Sequence, residues 1–118
     1  MNDGSDIRER VFAFACAVVD LHDVLVLRGG SGREMGRQLM RSATSIGANL
    51  EEADAGQSRA DFISKCTISL KEAREAHYWL RLLQATNKIG GDHDGLIHEG
   101  DRIVAVLTSI VKNTKGER

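Results

Sequence analysis

The sequence predicts an all-α fold, an antiparallel up-down-up-down four-helix bundle. Three observations carry this. Apolar residues recur at steps of three and four in four separate stretches, the spacing that places side chains on one face of a helix. The breaks between the stretches are short and rich in Gly. The 118 residues contain no Pro, where ordinary usage gives about six. Long helices exclude interior Pro because it removes a hydrogen bond and clashes with the preceding turn.

The first helix is expected from about Ile7 to Leu27, with Ile7, Val11, Phe14, Val18, Leu21 and Leu25 on its core face. Asp6 is placed to cap it, with Glu9 three residues on. Arg28 to Gly32 forms the first loop. The second helix is expected from about Gly32 to Asp54, with Ser31 and Glu34 at capping-box spacing. Leu39, Ala43, Ile46, Leu50 and Ala53 form its stripe. Gly47 inside a helix costs about 0.5–1 kcal/mol relative to Ala, and close approach of a neighbouring helix is the expected compensation. The alternative is a kink.

The third helix is the longest, about Arg59 to Asn87. Phe62, Cys66, Ser69, Ala73, Ala76, Leu80 and Leu83 form an unbroken stripe, Ser58 is the expected cap, and Asp61 and Lys65 are spaced for an ion pair. The fourth runs from about Asp94 to Thr114 on Leu96, Ile103, Leu107 and Ile110. Lys112 and Lys115 lie at its C-terminal end, where cations suit the helix dipole. One domain over residues 1–118 accounts for all four.

Composition narrows the function. Sixteen Lys and Arg balance seventeen Asp and Glu, for a net charge of −1, unlike the strongly basic domains that coat nucleic acid. The longest apolar run, Val11 to Val19, is nine residues, against about 20 for a membrane span. Acids precede it, which is not the positive flank of a signal peptide. A cytoplasmic chain is expected. Cys16 and Cys66 have no metal or redox spacing, and two buried, reduced thiols are expected.

Catalytic and cofactor motifs find little support. A di-iron bundle needs Glu-x-x-His pairs, and none of His22, His77, His93 and His98 has an acid three residues before it. The glycines at 29, 30 and 32 follow a helix rather than a strand and lack the Gly-Lys-Ser/Thr of a phosphate cradle. No nucleophile elbow exists. No metal, cofactor or catalytic residue is assigned.

Two charged patterns stand out. Arg33, Arg37 and Arg41 are spaced four apart on the second helix, and the first two sit near its N-terminus, where cations oppose the dipole. Residues 28–48 carry a net +3 and residues 49–56 a net −3. The three arginines are candidates for an anion or RNA contact, against a solvated face or an ion-pair network. The third helix bears a second stripe of Lys65, Ile68, Glu72, Glu75, Trp79 and Leu82. Charge of both signs around one Trp suggests an interface. Catalysis by Glu72 and Glu75 is the competing reading, without a partner acid, base or cofactor motif.

The stretches 38–53, 58–65 and 70–83 together resemble the bacterial four-helix-bundle family first noted as reading frames in intervening sequences of 23S ribosomal RNA genes. The resemblance implies an antiparallel bundle assembling as a homopentameric ring. A related branch, the accessory protein of diversity-generating retroelements, is a basic pentamer that binds nucleic acid and a reverse transcriptase. This chain departs from that branch in its pI near 6.4. The family as a whole has no established activity. Arg41, Asn49, Glu52, Lys65, Glu72, Glu75 and Trp79 fall within the matching stretches. If the faces of the second and third helices meet, these residues form a polar network that fixes register and assembly. The expectation is therefore a non-enzymatic, self-assembling scaffold or adaptor for a macromolecular partner, protein or RNA. The alternative is an RNA- or DNA-binding accessory protein acting through the basic face of a ring.

Overall fold

The computed structural model describes residues 4–56 and 58–116, with side chains from Ile7 onward. Four helices account for most of it: α1 Gly4–Arg28, α2 Gly30–Asp54, α3 Arg59–Ala85 and α4 Asp94–Lys115. Each packs on the next, and the α1–α4 edge, more sparsely packed, closes the ring. Cross-helix pairs fix the antiparallel order. Positions 36 and 47 of α2 abut Leu25 and Val11 of α1. Arg41 and Ile46 of α2 meet Glu75 and Ser69 of α3. The result is the antiparallel four-helix bundle that the stripes predict, about 44 Å long.

Most stripe residues become the core, while Phe62, Leu96 and Ile110 pack against it only partly buried. All six α1 stripe residues are buried, as are Leu39, Ala43, Ile46, Leu50 and Ala53 of α2 and Cys66, Ala73, Ala76, Leu80 and Leu83 of α3. Ile103, Leu107 and Val111 complete the core from α4, and Ile89 closes one end from the loop. Gly47 does mark close approach: a Cβ there would lie 3.3 Å from Val11. Gly100 is buried for the same reason, against His77 and Phe14. No helix is long and apolar enough to cross a membrane among the described residues.

Several local expectations change. α2 begins at Gly30, so Ser31 lies inside its first turn and the Ser31–Glu34 capping box does not form. Gly29 is the cap instead, without a side-chain hydrogen bond. Gly29 and Gly30 both take positive φ, at 75° and 63°, a conformation open to residues lacking a Cβ. The chain thereby reverses through a single residue between α1 and α2. α1 extends back to Gly4, placing Asp6 within the helix rather than at its cap; its side chain lies outside the described residues. α3 ends at Ala85, two residues early. Ser58 caps α3 as expected, accepting from the Asp61 amide at 3.1 Å. Lys65 pairs with Glu52 rather than with Asp61. Cys16 is exposed, not buried, because it lies on the opposite side of α1 from Phe14 and Val18.

Candidate assembly network

The polar stripes of α2 and α3 meet along one outer seam of the bundle. At its centre, the Arg41 guanidinium spans two carboxylates on successive turns of α3. It donates to Glu75 Oε2 at 2.5 Å and to Glu72 Oε1 at 3.4 Å. The second contact is long and weak by hydrogen-bond geometry. Glu75 Oε2 also accepts from the Trp79 indole Nε1 at 3.1 Å. The Trp79 ring in turn meets Tyr78 edge-on, with centroids 5.4 Å apart. One turn of helix separates Glu75 from Trp79, so the α3 backbone itself sets that contact.

Burial grades across the seam. The Glu72 side chain is 15% exposed and that of Glu75 31%, whereas that of Arg41 is 52% exposed. The Trp79 indole and Arg41 hold the Glu75 carboxyl below the usual carboxylate range, against the opposing pull of burial. Glu75 in return raises Arg41. Both groups are therefore firmly ionised near neutral pH, and Glu75 is poorly placed to act as a general acid, which needs a raised value. The seam is suited to holding α2 against α3.

Toward the other end of α2, Lys65 Nζ lies 2.8 Å from Glu52. Between these two cross-links, Asn49 takes no part in bridging. Its amide donates back to the Ser45 carbonyl at 2.9 Å and to the Ser45 hydroxyl at 3.1 Å, inside α2. The structure thus joins Arg41, Glu72, Glu75 and Trp79 into one cluster and Glu52 with Lys65 into another, and leaves Asn49 local.

The three arginines separate as well. Arg41 is engaged by carboxylates, whereas Arg33 and Arg37 are exposed and have no ion pair among the described residues. Arg28 reaches from the end of α1 to the Lys88 carbonyl at 3.1 Å. No group of three or more His, Cys, Asp or Glu converges on a metal-sized site among the described residues.

Sequence reasoning missed a groove on a different side, between α1 and α2. Its volume is about 680 Å³, and Val11, Phe12, Ala15, Cys16 and Val19 of α1 line it with Thr44, Gly47 and Ala48 of α2. The signal was present. The run Val11 to Val19 holds more apolar residues than one core stripe uses, and four of the surplus, Phe12, Ala15, Cys16 and Val19, line the groove.

Fold and seam define the class: an all-α four-helix bundle held on its α2–α3 side by an ion network. The chain belongs to the 23S rRNA-intervening sequence protein family, which it matches over residues 5–109. It is also similar to the crystal structure of a protein of unknown function from the S23 ribosomal protein family of Bacteroides thetaiotaomicron. The two share 39% identity with a TM-score of 0.83, over 92% of this chain and 97% of that one. Among curated proteins, none matches this chain. Neither similarity indicates an enzymatic family.

Proposed function

We propose that this protein is a non-enzymatic, self-assembling helical bundle that serves as a scaffold or adaptor for a macromolecular partner. The observation that carries this reading is the apolar surface left uncovered on α1. Phe12 is 71% exposed, Leu27 88% and Val24 46%. Scattered exposed apolar residues are ordinary, but a large aromatic beside an apolar groove is what an interaction surface presents. The resemblance to ring-forming bundles supports five copies. In this reading the Arg41–Glu75 and Glu52–Lys65 cross-links hold α2 in register on α3, so the assembling faces keep their shape.

Light scattering on the purified chain tests this. The expected mass is close to five times 12.9 kDa. A monomer at every accessible concentration overturns the reading. The double variant Glu52→Gln, Glu75→Gln tests the seam, with partial dissociation expected. An unchanged oligomer removes the seam from assembly.

A second reading has its own observation: Arg33 and Arg37 are exposed near one end of α2, with no ion pair among the described residues. Repeated around a ring, they would form a basic patch for RNA, since many weak phosphate contacts multiply on one assembly. Titration of a labelled structured RNA at about 50 and 200 mM salt decides it, because phosphate contacts weaken steeply with salt. Salt-sensitive binding lost in Arg33→Gln, Arg37→Gln supports this reading, and absence of binding at both salts ends it.

A further inference from the structure

The groove between α1 and α2 has a rim as well as a floor. Asp20 and Glu51 stand exposed on it, Glu9 and Asp54 stand exposed on the adjoining hollow that shares Arg8, Phe12 and Glu51, and Arg8 is paired with Asp54. The site is therefore an apolar trough with an acidic border. Phe12, at its edge, is 71% exposed.

The complementary surface is present on the same chain. Lys71, Arg74, Tyr78 and Arg81 follow one another at steps of three, four and three along α3, so they share one face. All four are exposed, Tyr78 by 50%. None of the three cations has an ion pair among the described residues. This face is a basic stripe with an aromatic ring at its centre. At about 1.5 Å per residue, it runs about 15 Å from Lys71 to Arg81, and the groove wall on α1 about 18 Å from Arg8 to Asp20. The two surfaces lie on different helices and cannot meet within one chain.

The geometry points to a head-to-tail contact in which the α1–α2 groove of one copy receives the α3 stripe of the next, with Tyr78 over the apolar floor and Lys71, Arg74 and Arg81 against the acidic rim. This rests on the self-assembly reading above and supplies its interface. Charge sign, apolar character and length agree between the two surfaces. A contact between two different patches is heterologous. It builds a closed ring when its rotation closes, and it cannot stop at two.

The test breaks each patch separately. Phe12→Glu spoils the groove and leaves the stripe. The triple variant Lys71→Glu, Arg74→Glu, Arg81→Glu reverses the stripe and leaves the groove. All four positions are exposed, so both proteins should fold, and helical circular dichroism checks that they do. Each variant alone is expected to run as a monomer where the unmodified chain is an oligomer. Mixed at equal, high concentration, they retain one intact groove and one intact stripe between them. The mixture is expected to double in mass, to a heterodimer, and go no further. If the unmodified chain is monomeric, the self-assembly reading fails and this interface with it. If the unmodified chain assembles and the variants do too, the groove–stripe contact is wrong while assembly stands. If the variants dissociate but do not recombine, head-to-tail pairing is overturned.

Discussion

The Ser69 hydroxyl on α3 donates to the backbone carbonyl of Ile46 on α2, at 2.7 Å, with both side chains fully buried. The contact requires the two backbones to come close, and small residues at Ser42, Ala43, Ala73 and Ala76 line the same region of the core. Buried hydroxyls need a partner, and a neutral hydrogen bond contributes about 1 kcal/mol net. Ser69→Ala is expected to lower unfolding free energy by about 1 kcal/mol. Ser69→Leu, which forces α2 and α3 apart, should cost about 1–3 kcal/mol or more. Urea denaturation of the two variants measures both.

Acid should weaken the fold through two groups of the same sign. The Trp79 indole and Arg41 depress the Glu75 carboxyl, so its contribution is full above the ordinary carboxylate value and lost as pH falls through the depressed one. Burial depresses His77, which favours its neutral form in the folded chain. That contribution is full above about 6.5 and drains as pH falls from there through the folded value. Melting temperature is therefore expected to fall in two stages on acidification, the first below about pH 6.5. Glu75→Gln should lower stability at pH 7, shift Trp79 emission, and converge with the parent protein at low pH. A difference that persists at low pH would show that Glu75 acts by packing instead.

Two glycines in helices should respond to Ala with opposite signs. A Cβ at Gly36 would lie 3.1 and 3.2 Å from Leu25 atoms, including that residue's own Cβ, whereas one at Gly95 meets nothing within 4 Å. Helix propensity alone favours Ala by about 0.8–1 kcal/mol. Gly95→Ala is expected to stabilise by up to that amount. Gly36→Ala is expected to destabilise by about 1 kcal/mol, because overpacking at the α1–α2 contact outweighs propensity. Thermal melts of the two variants give the signs directly.

The two thiols should react at very different rates. Cys16 is exposed, whereas Cys66 is 1% exposed and burial pushes its thiol up. The thiolate is the reactive form. An aromatic disulfide reagent is expected to titrate Cys16 rapidly in a dissociated variant such as Phe12→Glu, and Cys66 only on unfolding. Slow reaction of Cys16 in the oligomer but not in a dissociated variant would place it under the partner.

Periodicity made the helices legible because each stripe had one core to meet. Ile7 through Leu25 in α1 could be read to the residue. The α2–α3 seam was legible as two polar faces, since Arg41, Glu72 and Glu75 stand clear of the apolar stripes. Their pairing was not, because it depends on the axial offset of the helices, and Asn49 shows the consequence by bonding to its own helix. Capping at Ser31 was misread because Gly29 and Gly30 turn the chain through positive φ, a freedom that spacing rules do not register. Cys16 was misplaced because free thiols are usually buried, although its place off the Phe14–Val18 stripe already turns it away from the core.

The single-residue joint at Gly29 bears on how the chain reaches its fold. Closing a short loop costs little entropy, and contacts local in sequence form fast. The α1–α2 hairpin therefore requires the least chain ordering of any pair in the bundle. The α1–α4 edge requires the most, since Arg10 and Glu99, which make its bidentate pair, are 89 positions apart. On a ribosome, α1 and α2 emerge first and can collapse on each other before α4 has been made. The groove between them is thus exposed on nascent chains, where neighbouring copies on one polysome can meet.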